Sequence, residues 1–215
     1  MLRLLPRFDR PRSAAQSGAL QAIYDAAATG WQDGISRLGF IDAYAQLMRS
    51  APSPTTPPTV LDVGTGTGAF AQAWIDAHGT PAALALTDIS PAMLQVAATR
   101  LPVTQALAIG VGDEVAHLPP QDIVLCAHVI EHLDDPHAAL AWLRDQLRPG
   151  GTLIMAISKP HWCTALVRWR WGNAAYTPDQ AHAMLTAAGF TAITARAFTG
   201  GPPSRVSHGY IAQRA

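Results

Sequence analysis

Residues 60–70 read VLDVGTGTGAF. A short apolar run enters a turn carrying Gly64, Gly66 and Gly68, and helix-forming residues follow. Glycines let the backbone turn sharply and let a ligand approach where a Cβ would stand in the way. The helix that starts beyond them offers unpaired N–H donors. The spacing Gly64-x-Gly66-x-x-Ala69 also fits a dinucleotide-binding turn. The string therefore predicts strand, turn, helix and a ligand at the turn, and it leaves the ligand open.

The segments on either side repeat the rhythm. TVLDVG, AALALTD, VTQALAIG, DIVLCA and TLIMAIS are short apolar runs that read as strands. AFAQAWIDAH, SPAMLQVAATR and DPHAALAWLRDQL lie between them and read as helices, the second capped by Ser90 with Pro91 at its first position. RPGG stops the third. Alternating strands and helices imply a parallel sheet covered on both faces. The end departs from this pattern: after the helix TPDQAHAMLTAAGF come TAITARAF and SHGYIAQR, two strands close enough to pair antiparallel. Before the sheet, 14–28 and 35–50 read as two helices, and APSPTTPP as a stiff linker. The expected division is 1–57 for tail, lid helices and linker, and 58–215 for the α/β domain.

Three acids narrow the ligand. Asp88 lies 20 residues beyond Gly68, at the end of the second strand, where a carboxylate grips ribose hydroxyls. Asp62 precedes the first glycine by two residues, where it suits an ammonium and repels a pyrophosphate. Asp113 follows the third strand. Ligands of open α/β sheets bind beyond the carboxyl ends of the strands. The three acids would meet an amine, a ribose and an adenine amino group in turn.

With these motifs in order, the chain resembles the class I S-adenosylmethionine-dependent methyltransferases, in the style of those acting on small molecules in quinone and lipid biosynthesis. LDVGTGTG, LTDISPAML, GDEVAHLP, DIVLCAHVIEHLDDP and LRPGGTLIMAIS carry the resemblance, which covers 58–157. It implies an α/β Rossmann-like methyltransferase fold: a mostly parallel seven-stranded sheet with an antiparallel C-terminal hairpin strand. It implies that Asp62, Gly64, Gly66 and Thr67 hold the methionyl part of S-adenosyl-L-methionine. Asp88 would take the ribose, Ile89 the adenine face, Asp113 and the Glu114 backbone the adenine edge, and Ala127 the sulfonium. Other readings stay open at this point: a cofactor-binding regulatory or partner protein without catalysis, and a nicotinamide-dependent oxidoreductase, against which Asp62 and the terminal hairpin speak.

Residues 128–132 read HVIEH, which as a string matches H-x-x-E-H zinc peptidases. A metal would need both histidines on one face of a regular helix. The strand before and Pro136 after leave little helix, so no metal is expected. His128 becomes the first residue past the fourth strand, a candidate catalytic base beside the acceptor. Glu131 and His132 are expected to fix the loop.

Methyl transfer asks mainly for alignment and exclusion of water. In 159–176, KPHWCTALVRWRWGNAAY, three tryptophans and two arginines crowd into ten residues. Trp162 and Arg168 are candidates for acceptor contact, although Trp162, Arg168, Trp169, Arg170 and Trp171 suit a membrane or partner surface as well. Tyr24 and Trp31, on the N-terminal helices, are further candidates for substrate contact and would lie over the cofactor as a lid.

Composition removes several classes. Fifteen Lys/Arg balance fifteen Asp/Glu, which speaks against a nucleic-acid partner. Two cysteines, Cys126 and Cys163, make no disulfide framework. No apolar run spans a membrane, and the arginine-rich start lacks a signal-peptide core. A cytoplasmic protein with a small-molecule or lipid-like acceptor is expected.

Overall fold

The computed structural model describes residues 14–113, 118–161 and 174–215. Two helices come first, α1 (Ala14–Arg37) and α2 (Phe40–Ser50). Then follow β1 (Thr59–Val63), α3 (Ala69–His78), β2 (Ala83–Thr87), α4 (Pro91–Arg100), β3 (Gln105–Leu107) and β4 (Gln121–Ala127). A single 3-10 turn (Ile130–His132) leads to α5 (Pro136–Asp145) and β5 (Leu147–Ser158). The chain closes with α6 (Pro178–Ala187), β6 (Phe190–Ala197), α7 (Pro203–Val206) and β7 (Ser207–Arg214).

The seven strands form one sheet in the order β3-β2-β1-β4-β5-β7-β6. β1 pairs in parallel with β2 and β4, β2 with β3, and β4 with β5. β7 is antiparallel to both β5 and β6. The mostly parallel sheet with an antiparallel terminal hairpin is therefore as expected from the alternation. Caps set the helix starts: the Ser90 hydroxyl accepts from Met93 N, and the Asp135 carboxylate accepts from Ala138 N.

Successive strand residues point to opposite faces, and both faces are buried. On one side Leu86, Leu125 and Ile154 meet Leu47, Met48, Phe70 and Trp74. On the other, Val124, Leu153 and Met155 meet Leu140, Leu143 and Leu185. α2 lies so close to β7 that a Cβ at Gly209 would stand 2.6 Å from a Leu47 methyl. This helix is part of the core, whatever its sequence distance from the sheet.

The N-terminal region corrects one expectation. Where two helices were expected at 14–28 and 35–50, α1 runs unbroken to Arg37. Gly30 and Gly34 are exposed and meet nothing within 4 Å of a built Cβ. Each costs the helix about 1 kcal/mol without breaking it. The break falls at Gly39, whose φ of 83° is left-handed. A second difference is β5, which starts at Leu147 and passes through the Pro-Gly-Gly stretch, pairing Leu147 with Gln121 before the register shifts.

Candidate functional site

The carboxyl ends of β1, β2 and β4 bring the glycine turn and its acids together. Gly64, Gly66 and Gly68 have φ of 64°, 53° and 83°, so all three use the left-handed region. What a Cβ would meet differs among them. A Cβ at Gly64 would stand 2.3 Å from Val129 Cγ2, and one at Gly68 2.6 Å from Leu101 Cδ1. Those two glycines admit neighbouring side chains, which corrects the expectation that all three clear space for a ligand. At Gly66 the nearest atom is Trp31 Nε1, 3.8 Å away.

Asp62 is 1% exposed. Its Oδ2 accepts from the Thr65 hydroxyl at 2.6 Å, while Oδ1 is buried with no partner among the described residues. Burial pushes its pKa up to about 7, against the Thr65 hydroxyl and the Ala71 amide dipole and with the nearby Asp88 charge. Among the described residues no cationic side chain pairs with Asp62.

Asp88 braces the turn. Its Oδ2 accepts from Gly66 N at 2.8 Å and its Oδ1 from Ser90 N at 2.9 Å. Burial raises its pKa, opposed by those two amides, and the Asp25 charge raises it further. Each carboxylate oxygen retains a lone pair for a hydroxyl donor. Ile89 and Asp113 flank Gly110: a Cβ there would lie 3.4 Å from Ile89 Cγ2 and 3.5 Å from Asp113 Oδ2. Asp113 Oδ2 accepts from Gly110 N at 2.7 Å. A cavity of about 250 Å³ opens beside them, lined by Val111, Gly112 and Leu133 among others.

His128 sits immediately after Ala127, the last residue of β4, at a left-handed φ of 57°. Its N–H still donates to Ala156 O at 2.9 Å, so the ladder continues through it. Nδ1 lies 3.0 Å from Glu131 Oε1 and 3.3 Å from Ser158 Oγ. A carboxylate only accepts, so the ring proton belongs on Nδ1 and Nε2 is the basic nitrogen. Nε2 is buried with no partner among the described residues. Phe40 and Tyr44 of α2 stand over the ring, with centroids 5.3 and 6.3 Å away. Burial alone would raise the Glu131 pKa, but the His128 hydrogen bond and charge, with Ser158, hold it below the usual carboxylate value. Glu131 is thus an ionised brace, as its expected loop-fixing role requires, and it also accepts from Ser158 N.

Nothing regular carries HVIEH as a metal pair. His128 precedes a three-residue 3-10 turn, and His132 Nε2 shares a hydrogen bond with the Tyr24 hydroxyl at 3.3 Å. Cys126 is buried, and burial pushes its thiol well above the ordinary range, which disfavours the thiolate a metal needs.

α1 lies across this edge. Besides Tyr24–His132, Thr67 Oγ1 donates to Gln32 Oε1 at 2.8 Å, and the Ser90 hydroxyl donates to Asp25. Trp31 packs edge-on against Tyr24 with centroids 5.6 Å apart. The structure therefore brings Tyr24, Trp31, Asp62, Gly64, Gly66, Thr67, Asp88, Ala127 and His128 to one edge, with Ile89 and Asp113 toward β3. Glu114, Trp162, Arg168, Trp169, Arg170 and Trp171 lie outside the described residues. Gln32, Asp25, Phe40, Tyr44 and Ser158 belong to the site and were not singled out from the sequence. Ser158 could have been found as the last residue of the fifth strand; the others depend on where α1 and α2 lie.

A parallel sheet with a glycine turn after β1 and an acid after β2 defines the Rossmann-like α/β proteins, whose ligands bind at this edge. A family model described as a methyltransferase domain matches residues 31–195. The chain belongs to this family, that of the S-adenosylmethionine-dependent methyltransferases. It is 36% identical over 110 residues to the ubiquinone/menaquinone biosynthesis C-methyltransferase of Cupriavidus pinatubonensis, covering 46% of this chain and 43% of that protein. It is 33% identical over 133 residues to the ubiquinone biosynthesis O-methyltransferase of Caulobacter vibrioides, covering 56% and 50%. Its fold matches that of the Burkholderia thailandensis 1,6-didemethyltoxoflavin-N1-methyltransferase, solved with 1,6-didemethyltoxoflavin and S-adenosylhomocysteine. The TM-score is 0.71 and the identity 17%, covering 96% of this chain and 92% of that one. The matched segments span half or less of the length of the curated relatives.

The residues present fit S-adenosylmethionine. The Asp62 oxygen without a hydrogen-bond partner suits its ammonium, and the spare lone pairs of Asp88 suit its ribose.

Proposed function

We propose that the chain transfers a methyl group from S-adenosylmethionine to an oxygen, nitrogen or carbon of a small-molecule or lipid-like acceptor, releasing S-adenosylhomocysteine. The observation that carries this is the orientation of His128. Its basic Nε2 is buried, lacks a partner among the described residues, and is walled by Phe40 and Tyr44 one residue past Ala127.

Asp62, Gly64, Gly66 and Thr67 would hold the methionyl part, Asp88 the ribose, and Ile89 and Asp113 the adenine. The cofactor supplies an already activated methyl group, so the protein's task is alignment and a dry site. Tyr24 and Trp31 would serve on the lid that excludes water. His128 Nε2 would take a proton from an acceptor hydroxyl or ammonium, while Glu131 holds the ring and stabilises the cation that forms. The two aromatic rings favour a flat acceptor.

Calorimetry with S-adenosylhomocysteine and with NAD, followed by transfer of labelled methyl to phenols, amines and amphiphiles, tests this. Binding of S-adenosylhomocysteine and labelled product are expected. Binding of NAD alone would overturn the reading, and S-adenosylhomocysteine binding without transfer to any acceptor would favour a non-catalytic role.

A further inference from the structure

The transfer proposed above leaves one contact of α5 unused. Trp142 packs, partly buried, against the core cluster that holds Leu140 and Leu143. Its indole Nε1 donates to the Asp113 carbonyl at 3.1 Å, across 29 residues of chain. Asp113 closes a small turn: its Oδ2 accepts from Gly110 N at 2.7 Å, and its own N–H donates to Gly110 O at 3.3 Å. Gly112 and Asp113 are exposed, and Gly112 takes a left-handed φ of 95°. Val111 anchors the turn by packing. Among the described residues, the indole supplies the one hydrogen bond that reaches 110–113 from another element.

Two placements tie this turn to a ligand. Ile89 Cγ2 and Asp113 Oδ2 meet at Gly110, where a Cβ would lie 3.4 and 3.5 Å from them. An apolar group and a carboxylate oxygen so close together suit the face and the edge of a flat heteroaromatic base. Asp113 Oδ1 accepts no hydrogen bond from the described residues, so an exocyclic amino group finds an acceptor there. The turn and α5 also share a cavity of about 250 Å³, to which Val111 and Gly112 contribute from the turn and Ala138 and Ala139 from the helix. Trp142 lies one helical turn beyond Ala138, so its indole ties together the two elements that wall this cavity. The bond separates position from stability. If the indole donor is lost, water takes the exposed carbonyl at little cost, but the turn loses its outside hydrogen bond.

We propose that Trp142 is the positioning residue of the nucleobase site. Its indole N–H holds the Asp113 turn where the carboxylate meets the amino group of adenine, and so sets the preference for an aminopurine over a base without that group. This rests on the methyl-transfer reading above, which it deepens by naming the residue on which base selectivity depends. The indole acts through Asp113 rather than on the base itself.

The test measures, by calorimetry, the affinities of S-adenosylhomocysteine and of its analogue whose base is purine, lacking the 6-amino group. The wild type should prefer S-adenosylhomocysteine by about 10-fold, the worth of one hydrogen bond to a carboxylate. Trp142→Phe keeps the ring and removes the donor. It should bring the preference down to about 3-fold or less by weakening S-adenosylhomocysteine alone, with the urea midpoint nearly unchanged. A merely structural role would weaken both ligands alike and leave the ratio intact, and an intact ratio overturns the proposal. If Trp142→Phe does not fold, the wild-type indole N–H resonance of Trp142 decides: it should shift with S-adenosylhomocysteine and stay in place with the purine analogue. An indole that ignores both ligands, or answers both equally, overturns the proposal. The wild type separates the two readings. Failure to bind either ligand counts against methyl transfer, whereas binding of both without preference leaves that reading standing and overturns the role of Trp142.

Discussion

The Nδ1 of His128 lies 3.0 Å from Oε1 of Glu131, a carboxylate that is itself 3% exposed and bonded to the amide of Ser158. This pair fixes a left-handed histidine at the end of a central strand, where backbone strain of about 1 kcal/mol must be offset. Glu131→Gln should keep the shape but lower turnover by about 10-fold or more, with S-adenosylhomocysteine affinity nearly unchanged. His128→Ala should likewise lower turnover more than affinity. Steady-state kinetics beside calorimetry checks both, and equal losses in the two measurements would remove His128 from the acceptor side.

Asp62 should make folding depend on pH in an unusual direction. Its carboxyl titrates near 3.8 when unfolded and near 7 when folded without a cation. Between those values the folded state holds a proton that the unfolded state has lost. The contribution of Asp62 to stability is therefore fully present below about pH 4, is lost as pH rises, and levels off above about 7. Asp62→Asn should gain stability relative to the wild type between pH 5 and pH 8 in urea titrations. An ammonium ligand arriving at pH 6 should displace the proton, visible by calorimetry in buffers of different ionisation enthalpy.

Asp88→Ala should abolish detectable S-adenosylhomocysteine binding, because it removes both the expected ribose acceptor and the brace on the Gly66 and Ser90 amides. Unchanged affinity by calorimetry would sink the ribose assignment.

Gly64→Ala should destabilise the fold by about 2–3 kcal/mol, since the new methyl combines a left-handed φ with a 2.3 Å approach to Val129 Cγ2. Val129→Ala in the same chain should recover the clash part but leave the backbone strain. Urea denaturation of the two single variants and the double variant gives the coupling. An additive result would show that Val129 is not what keeps residue 64 a glycine.

Polar tethers hold α1 over the site, and each is testable. Gln32→Ala removes the acceptor of the Thr67 hydroxyl. It should speed amide exchange in α1 and S-adenosylhomocysteine release by a few-fold, an effect of about 1 kcal/mol for one neutral hydrogen bond. Exchange rates matching the wild type would mean that the other contacts alone hold the helix.

The sheet was legible because its signals are local. Each strand is an apolar run, Ser90 and Asp135 mark helix starts by side-chain chemistry, and Asp62 and Asp88 occupy strand ends that topology places side by side. The long α1 was not legible, because Gly30 and Gly34 resemble a break until their exposed surroundings are known. The roles of the glycines were half legible: spacing shows that a turn is needed, but only packing shows that Val129 and Leu101 fill two of the three spaces. Phe40, Tyr44 and Gln32 reach the site through tertiary contacts between segments far apart in the chain, which periodicity does not encode.

The strand order at the far edge has a consequence for synthesis. β6 joins the sheet only through β7, although β7 is made later. Until residue 214 has left the ribosome, the flank of β5 stays unpaired, a row of amides and carbonyls ready to pair with another nascent chain. A pause in translation between β6 and β7 would leave the cofactor half of the molecule assembled and its open side prone to aggregation.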